Sequence, residues 1–304
     1  MRLVRAIFTR DLYFLFSCPA LLWQGLFLYL PIAILMLYSL LEYSPTTGDV
    51  VISFDCYRQI FNSVYFKVIL NSCVIASSTA VLCLSVAYPV AFFLAMKVTK
   101  RWRTFFLVTL ILPSWTSLIV QIYSWFFLLE KKGFLSRFLT SIGLISDSFH
   151  LLNNYFSILI GMVSCFLPFM ILPIYATLEK MDKNLLEASA DLGANRWETF
   201  KRVILPLSMP GVYAGLLLVF IPAFGEFAIP TLLGGAKTVF WGNLIVDKFL
   251  KSRDWRSGSA LATIGVLLPT LMILIGYWGM RLWKRIQLAK LRNIQASNLY
   301  KDAW

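Results

Sequence analysis

Six long apolar stretches alternate with polar segments along the 304-residue chain, and this pattern restricts its fold more than any other feature. A helix rises about 1.5 Å per residue, so about 20 apolar residues are needed to cross the hydrocarbon core of a bilayer. Charged residues make up 14% of the chain, whereas a typical globular domain has about 25%. We therefore predict an all-helical integral membrane protein with a single domain, residues 1–304. The six predicted spans are residues 14–41, 67–96, 104–129, 155–178, 207–233 and 259–283.

The segment 179–206, which we call the central loop, is charged and lies between the fourth and fifth predicted spans. Ten of its 28 residues are charged, and its apolar residues recur at helical spacing. This pattern predicts two short helices exposed to water. Asp182 is the expected N-cap of the first helix, and Gly193 is expected to end it in a left-handed conformation. Asn195 and Glu198 have the spacing of a capping box, although such a box usually begins with Ser or Thr.

The second of these helices has an apolar face, and Pro206 is expected to interrupt it before the fifth span. The face consists of Trp197, Phe200, Val203 and Ile204. A charged pair of helices with an apolar face, held between membrane spans, indicates a docking element for a soluble partner.

The central loop resembles the EAA loop of ABC importer permeases. The matching residues are Glu187-Ala188-Ser189, Gly193 after three further residues, and Val203-Ile204-Leu205-Pro206 after nine more. Ser189 replaces an alanine of the family pattern and Val203 an isoleucine, and both are small changes that keep the helical geometry. The resemblance implies that the loop inserts a short helix into a cleft on a separate ATPase subunit. The implied coupling residues are Glu187, Ala188, Ser189, Asp191, Leu192, Gly193, Leu205 and Pro206.

The distribution of Lys and Arg predicts the orientation of the chain. With the N-terminus inside, 18 of the 28 basic residues fall in inside segments. The positive-inside rule then places both termini and the central loop in the cytoplasm. The run 97–103, KVTKRWR, contributes to this signal, and we assign it no other role. The outside segments 42–66, 130–154 and 234–258 are too short to bury a core, so we expect interfacial helices and a receptor-facing surface.

No catalytic or metal-binding constellation is evident in the sequence. It lacks the phosphate-binding pattern GxxxxGK[ST], it has no metal-ligand spacing, and His150 is its single histidine. Its net charge of +13 comes from basic residues between spans rather than from a basic face that would bind nucleic acid. We therefore expect neither enzymatic activity nor a cofactor in this chain.

Glu226 is a lone carboxylate in the fifth predicted span, between Pro222 and Pro230. Such residues usually face a bundle interior or a pathway, and interrupted helices often form transport sites. A carboxylate among aromatic rings suits a cationic substrate. The predicted substrate path consists of Glu226, Trp115, Tyr123, Phe224 and Phe227. Alternatively, Glu226 is neutral or pairs with a partner subunit, and the rings are packing residues.

Further segments resemble the permeases of spermidine/putrescine importers, and the similarity covers most of residues 10–283. They are 112–117 (LPSWTS), 167–173 (LPFMILP), 224–230 (FGEFAIP) followed by 233–235 (LGG), and 253–255 (RDW). The resemblance implies a type I importer in the bacterial inner membrane. Its other parts would be a homologous second permease, two ATPase subunits that bind ATP and Mg, and a periplasmic polyamine-binding protein.

Three alternatives remain open at this point. The chain could import another cationic or phosphonate-type solute through the same machinery. An ion-coupled secondary transporter would be expected to carry several titratable groups in its spans, and a membrane enzyme would need a catalytic constellation.

The predicted orientation can be tested with single cysteines at Thr47 and Ala194 in a cysteine-free background. An impermeant thiol reagent added to intact spheroplasts should label position 47 and leave position 194 unmodified. Both positions should react after permeabilisation, which controls for accessibility. Labelling of position 194 in intact spheroplasts would contradict the orientation.

Overall fold

The computed structural model describes residues 18–43, 50–60, 62–143, 151–182, 184–235, 238–276 and 278. Contacts between these residues divide the chain into two compact units. One unit comprises Met1–Phe66 with Leu244–Leu267, and the other comprises Lys67–Asn243 with Leu268–Trp304. The single domain expected for residues 1–304 stays a prediction.

Helices dominate the described residues. In chain order the elements are α1 (Cys18–Leu40), β1 (Leu41–Tyr43), β2 (Val50–Ile52), α2 (Asp55–Ile60), α3 (Ser63–Met96), α4 (Lys100–Ile111), α5 (Leu118–Leu129), α6 (Phe134–Ser141), α7 (Tyr155–Glu179), α8 (Asn184–Asp191), α9 (Arg196–Gly225), α10 (Ala228–Leu233), α11 (Trp241–Val246) and α12 (Trp255–Gly276). Within the described part of the chain, five of them are long and apolar enough to cross a membrane: α1, α3, α7, α9 and α12. These helices overlap five of the six predicted spans. Residues 14–17, 277 and 279–283 of those spans lie outside the described residues.

The third predicted span, residues 104–129, is a bent pair of helices rather than one straight helix. The chain turns by 91° between Lys100–Trp115 and Leu118–Ser141, and this pair counts as a sixth span if it crosses as one. Pro113 lies in a short 3₁₀ turn after α4, where its missing N–H favours a break. The Gln121 side chain donates to the Pro113 carbonyl and to Thr116 Oγ1, so that polar groups at the bend are paired. The apolar run of residues 104–129 continues across the bend, so apolar length alone did not reveal it.

The first unit contains a two-stranded antiparallel hairpin that follows α1. Leu41 lies opposite Ile52, and Glu42 lies opposite Val51. The Arg256 guanidinium donates to Glu42 Oε2 at 3.0 Å, which ties the start of α12 to this hairpin. The Ser53 side chain and the Arg256 guanidinium hold the pKa of Glu42 below its usual range. The hairpin is therefore joined to its own unit by a charged contact as well as by backbone hydrogen bonds.

The second unit is built on the packing of α7 against α9. Small residues allow the two backbones to approach, which is a common mode of helix association in membranes. A Cβ atom on Gly211 would lie 2.5 Å from the Pro173 carbonyl oxygen and 2.5 Å from Thr177 Oγ1. One on Gly215 would lie 2.7 Å from Met170 Sδ. These glycines of α9 therefore fix its close contact with α7.

The long helix α3 also packs against α7 through small side chains. Buried alanines recur along it at positions 76, 80, 87 and 91. Between them, Thr79 Oγ1 lies 3.3 Å from Met162 Sδ, and Cys83 Sγ lies 3.8 Å from the Val163 carbonyl oxygen. The helices α3 and α9 thus both use α7 as a packing partner, and the central loop leaves from the end of α7.

Candidate functional site

The first half of the central loop is a capped helix, as predicted. Asp182 Oδ1 accepts a hydrogen bond of 3.0 Å from the Asn184 backbone N–H at the start of α8. At the other end, Gly193 has a φ of +77°, the left-handed conformation that favours glycine. The Gly193 N–H donates to the Ala190 carbonyl, and the Ala194 N–H donates to the Ser189 carbonyl. This pair of bonds is a Schellman motif, so both the N-cap and the glycine stop are confirmed.

A capping box begins the second half, again as predicted. The Asn195 side chain accepts from the Glu198 N–H at 2.9 Å, and the Glu198 carboxylate accepts from the Asn195 N–H at 3.0 Å. Asparagine replaces the usual Ser or Thr without loss of either bond. Caps on both helices leave the short turn between them with little conformational freedom.

The two halves of the loop are joined by Ser189, a residue that departs from the family pattern. Its side chain is buried, and its hydroxyl lies 2.9 Å from the Thr199 hydroxyl across the turn. The sequence predicted only that this serine would fit the helix. Thr199 lies ten residues away, and no local pattern connects the pair.

The expectation that Pro206 interrupts the second helix is wrong. Helix α9 runs without a break from Arg196 to Gly225, so the central loop continues directly into the fifth span. A π turn at Phe200–Ile204 precedes the proline, and the Leu205 N–H donates to the Phe200 carbonyl. The helix passes through Pro206 directly after this wider turn, although proline itself donates no backbone hydrogen bond.

One part of the apolar face of the second helix packs within the second unit, and another part is exposed to solvent. The Phe200 ring meets Tyr88 of α3 edge-on, with centroids 5.8 Å apart, and also lies against Phe92. Ile204 is buried. Trp197 stacks on the other side of Phe200 at 5.6 Å and remains 69% exposed.

Leu192, near the end of the first half of the loop, is also exposed, with 88% of its surface accessible. The carboxylates of Glu187 and Asp191 and the Ala188 methyl group are also exposed. Two large apolar side chains among charges are typical of a surface that a protein partner covers. We call Leu192 and Trp197 the exposed patch of the central loop.

Helix α9 ends at Gly225, and the next residue, Glu226, is extended with a ψ of 131°. The chain then enters the short helix α10, so the interruption predicted between Pro222 and Pro230 is present. Glu226 Oε1 accepts from the Ala228 N–H at 2.9 Å and lies 3.4 Å from the Ile229 nitrogen. The carboxylate therefore satisfies backbone donors that the break exposes.

Sequence reasoning missed a second group of residues that holds this break. Asn243 Nδ2 donates to the Phe227 carbonyl at 3.2 Å and to Thr231 Oγ1 at 2.6 Å. Gly242 packs so tightly that a Cβ atom there would lie 3.0 Å from the Glu226 carbonyl oxygen. We call Gly242 and Asn243 the Asn243 clasp. It is anchored by the preceding residue, because the Trp241 N–H donates to buried Ser72 Oγ of α3 at 2.8 Å. A Gly-Asn pair in a segment predicted to lie outside gives no sequence signal for such a role.

The predicted aromatic path residues lie in different environments. Phe224 is buried against Trp241, whereas Phe227 is 45% exposed beside Glu226. Tyr123 is half-exposed on α5, which packs against α10, and Trp115 is 83% exposed at the bend of the third span. Among the described residues, neither Tyr123 nor Trp115 makes a ring contact with the two phenylalanines. Their place in a substrate path stays a prediction.

Comparisons with known proteins agree with this architecture. Residues 87–292 match the family described as the inner membrane component of binding-protein-dependent transport systems. The spermidine/putrescine transport system permease protein PotB of Haemophilus influenzae is 42% identical, over 77% of this chain and 82% of that protein. PotB of Escherichia coli K12 is 39% identical, over 84% of this chain and 93% of that protein.

Solved structures show the same fold at low sequence identity. A bacterial ABC transporter involved in the import of the acidic polysaccharide alginate matches with a TM-score of 0.71 at 18% identity, covering 92% of this chain and 99% of the matched chain. The complex of a bacterial alginate ABC transporter with its alginate pentasaccharide-bound periplasmic protein gives a TM-score of 0.69 at 18% identity, covering 90% of this chain and 96% of the matched chain. The type I ABC importer permease fold predicted from the sequence is confirmed, and the described residues are mostly helical, with the short hairpin of β1 and β2 as an addition that the sequence did not predict. The chain belongs to the family of binding-protein-dependent transport system inner membrane components, and its resemblance to the spermidine/putrescine permeases is confirmed across most of its length.

Proposed function

We propose that the chain is a membrane subunit of an ATP-driven importer and forms part of the path through which polyamines cross. The observation that carries this proposal is the 42% identity to a spermidine/putrescine permease over 82% of that relative's length. The interrupted fifth span, with its carboxylate at the break, supports a cationic substrate. An ion-coupled secondary transporter or a membrane enzyme does not fit this family. Another cationic or phosphonate-type solute is the alternative substrate.

The partners we propose are a homologous second permease, two ATPase subunits and a periplasmic polyamine-binding protein. The family itself works with a binding protein, as its description states. ATP and Mg would bind to the ATPase subunits, and this chain would need no cofactor. Both termini and the central loop would lie in the cytoplasm, as the distribution of basic residues predicts.

The contacts of the central loop suggest how movement of the ATPase reaches the spans. The exposed patch of Leu192 and Trp197 would insert into the ATPase. Trp197 stacks on Phe200, and Phe200 lies against α3, so displacement of the loop would push on that helix directly. The hydrogen bond of 2.9 Å between Tyr88 and Ser208 makes the same connection about two turns further along α9. Because α9 is continuous through Pro206, the loop and the fifth span would move as one body.

We further propose that Glu226 meets an ammonium group of the substrate. One carboxylate oxygen is occupied by the backbone amides that it caps, and the side chain is only partly buried. The second oxygen makes no hydrogen bond within the described residues, so it is available to a cation. The exposed Phe227 ring beside it offers a cation–π face.

The coupling role of the loop predicts the effect of a change at Gly193. A valine there would be held at positive φ, which costs roughly 1–2 kcal/mol, although its Cβ would meet nothing within 4 Å. We expect Gly193→Val to weaken association with the ATPase or to uncouple ATP hydrolysis from uptake, with the protein still inserted. Gly193→Asn is the matched control, because asparagine tolerates the left-handed conformation. Normal co-purification and uptake by the valine variant would contradict the docking role.

The substrate role of Glu226 predicts a transport defect that depends on charge. Glu226→Gln retains an oxygen that can cap α10 and removes the charge. Loss of a charge-assisted hydrogen bond is worth roughly 1.5–3 kcal/mol, or about a 10- to 150-fold weakening of the step that uses it. We expect uptake of labelled spermidine by the reconstituted importer to fall accordingly, with unchanged affinity of the binding protein.

Two controls separate charge from structure. Thr231→Val removes a hydroxyl contact of the Asn243 clasp without altering Glu226, and it should retain most of the uptake. Assembly with the partner permease is measured in parallel, because a Gln variant that fails to assemble would indicate a carboxylate paired across the subunit interface. Wild-type uptake by Glu226→Gln would remove Glu226 from the path, and absence of uptake by the wild-type importer would reject the polyamine substrate.

A further inference from the structure

The basic run between α3 and α4 contains one residue whose environment differs from that of its neighbours. Lys97, Lys100 and Arg101 are exposed, as a positive-inside signal requires. The side chain of Arg103 is only 14% exposed. A guanidinium is buried only where several partners satisfy it, so this arginine has a role that the charge count did not reveal.

Arg103, near the start of α4, contacts two other segments of the second unit at once. Its Nη1 donates to Glu179 Oε1 at 2.9 Å, at the end of α7. Its Nη2 donates to the Ala95 carbonyl at 2.9 Å and to the Val98 carbonyl at 3.4 Å, at the end of α3. The guanidinium also lies 6.0 Å from the centre of the Tyr175 ring, one turn before Glu179.

These partners explain why arginine suits this position. The last carbonyls of a helix have no partner within it, and the planar guanidinium can donate to them and to a carboxylate at the same time. A lysine ammonium has the charge but lacks this forked geometry. The Arg103 Nε atom is buried without a hydrogen bond among the described residues, so the side chain is held by its two terminal nitrogens. Truncation would remove the Arg103 donor from Glu179 and from the carbonyls of Ala95 and Val98.

The position of these contacts relates them to the central loop. Glu179 is the last residue of α7, and the central loop begins at this residue. Without a contact there, force from the loop could be lost by bending at the end of α7. With Arg103 in place, the start of the loop is fastened to the end of α3 and to the first turn of α4.

We propose that Arg103 is a positioning residue for energy coupling, which fastens the exit of α7 to α3 and α4 so that movement of the central loop reaches those helices. This inference rests on the proposed docking of the central loop on an ATPase. It gives the loop a second connection to α3, separate from the Phe200 contact at its other end.

The test uses the assembled importer in lipid nanodiscs and vesicles, with Arg103→Ala, Arg103→Lys and Glu179→Gln. Arg101→Ala is the matched control, since it removes a charge from the same run at an exposed position. Hydrogen exchange is measured for the amides of residues 95–99 and 176–182, and spermidine uptake is measured per ATP hydrolysed. We expect Arg103→Ala to accelerate hydrogen exchange in both segments. It should also lower the spermidine uptake per ATP hydrolysed, which we call the uptake ratio, by about tenfold. The lysine variant should be intermediate, and Arg101→Ala should match the wild type.

Wild-type exchange and uptake ratio in Arg103→Ala would overturn the proposal, as would equal effects of Arg101→Ala. If Arg103→Ala does not assemble, Glu179→Gln decides, because it leaves the carbonyl contacts of Arg103 in place. Faster exchange and a lower ratio in that variant support the proposal, and wild-type behaviour overturns it. If the wild-type importer takes up no spermidine, the substrate assignment fails, while exchange in residues 95–99 and 176–182 still tests Arg103.

Discussion

Every backbone N–H and C=O group inside a bilayer needs a partner within the protein, and this requirement decides where the chain can leave a straight helix. At three places where the chain leaves a regular α-helix, nearby groups provide hydrogen-bond partners for the backbone. At the bend of the third span, the Gln121 amide and the Thr116 hydroxyl donate to the Pro113 carbonyl. Before Pro206, a π turn supplies an alternative bond. At the end of α9, the Glu226 carboxylate caps the next helix. The places where a transport protein can change shape are therefore the places where side chains replace helical hydrogen bonds.

The same reasoning shows that the proposed cation contact of Glu226 need not conflict with its capping of α10. A carboxylate that caps backbone amides is held in a defined orientation, because one oxygen is already engaged. Its other oxygen can then meet a cation without a large loss of side-chain entropy. The clasp from Asn243 and Gly242 holds the backbone on the other side of the break. Preorganisation of this kind is typical of sites that recognise a small charged group.

Local patterns predicted much of the architecture. The spans followed from apolar length, and the left-handed Gly193 and the box of Asn195 and Glu198 followed from capping rules that depend on only a few neighbouring residues. The contacts that the sequence did not reveal all join distant positions, such as Ser189 with Thr199 or Arg103 with Glu179. Pro206 was misjudged because the rule for proline in helices assumes a regular α-helix, whereas a π turn precedes it here.

The central claim is that the exposed patch of the central loop is the surface through which an ATPase drives this membrane subunit. Site-specific photo-cross-linking from position 192 or 197 in the assembled importer tests it most directly. The account predicts a covalent adduct with the ATPase subunit from both positions, and none from Phe134, which is also exposed but belongs to a segment predicted to lie outside. Cross-linking of positions 192 and 197 to lipid alone, or ATPase adducts from position 134 instead, would contradict it.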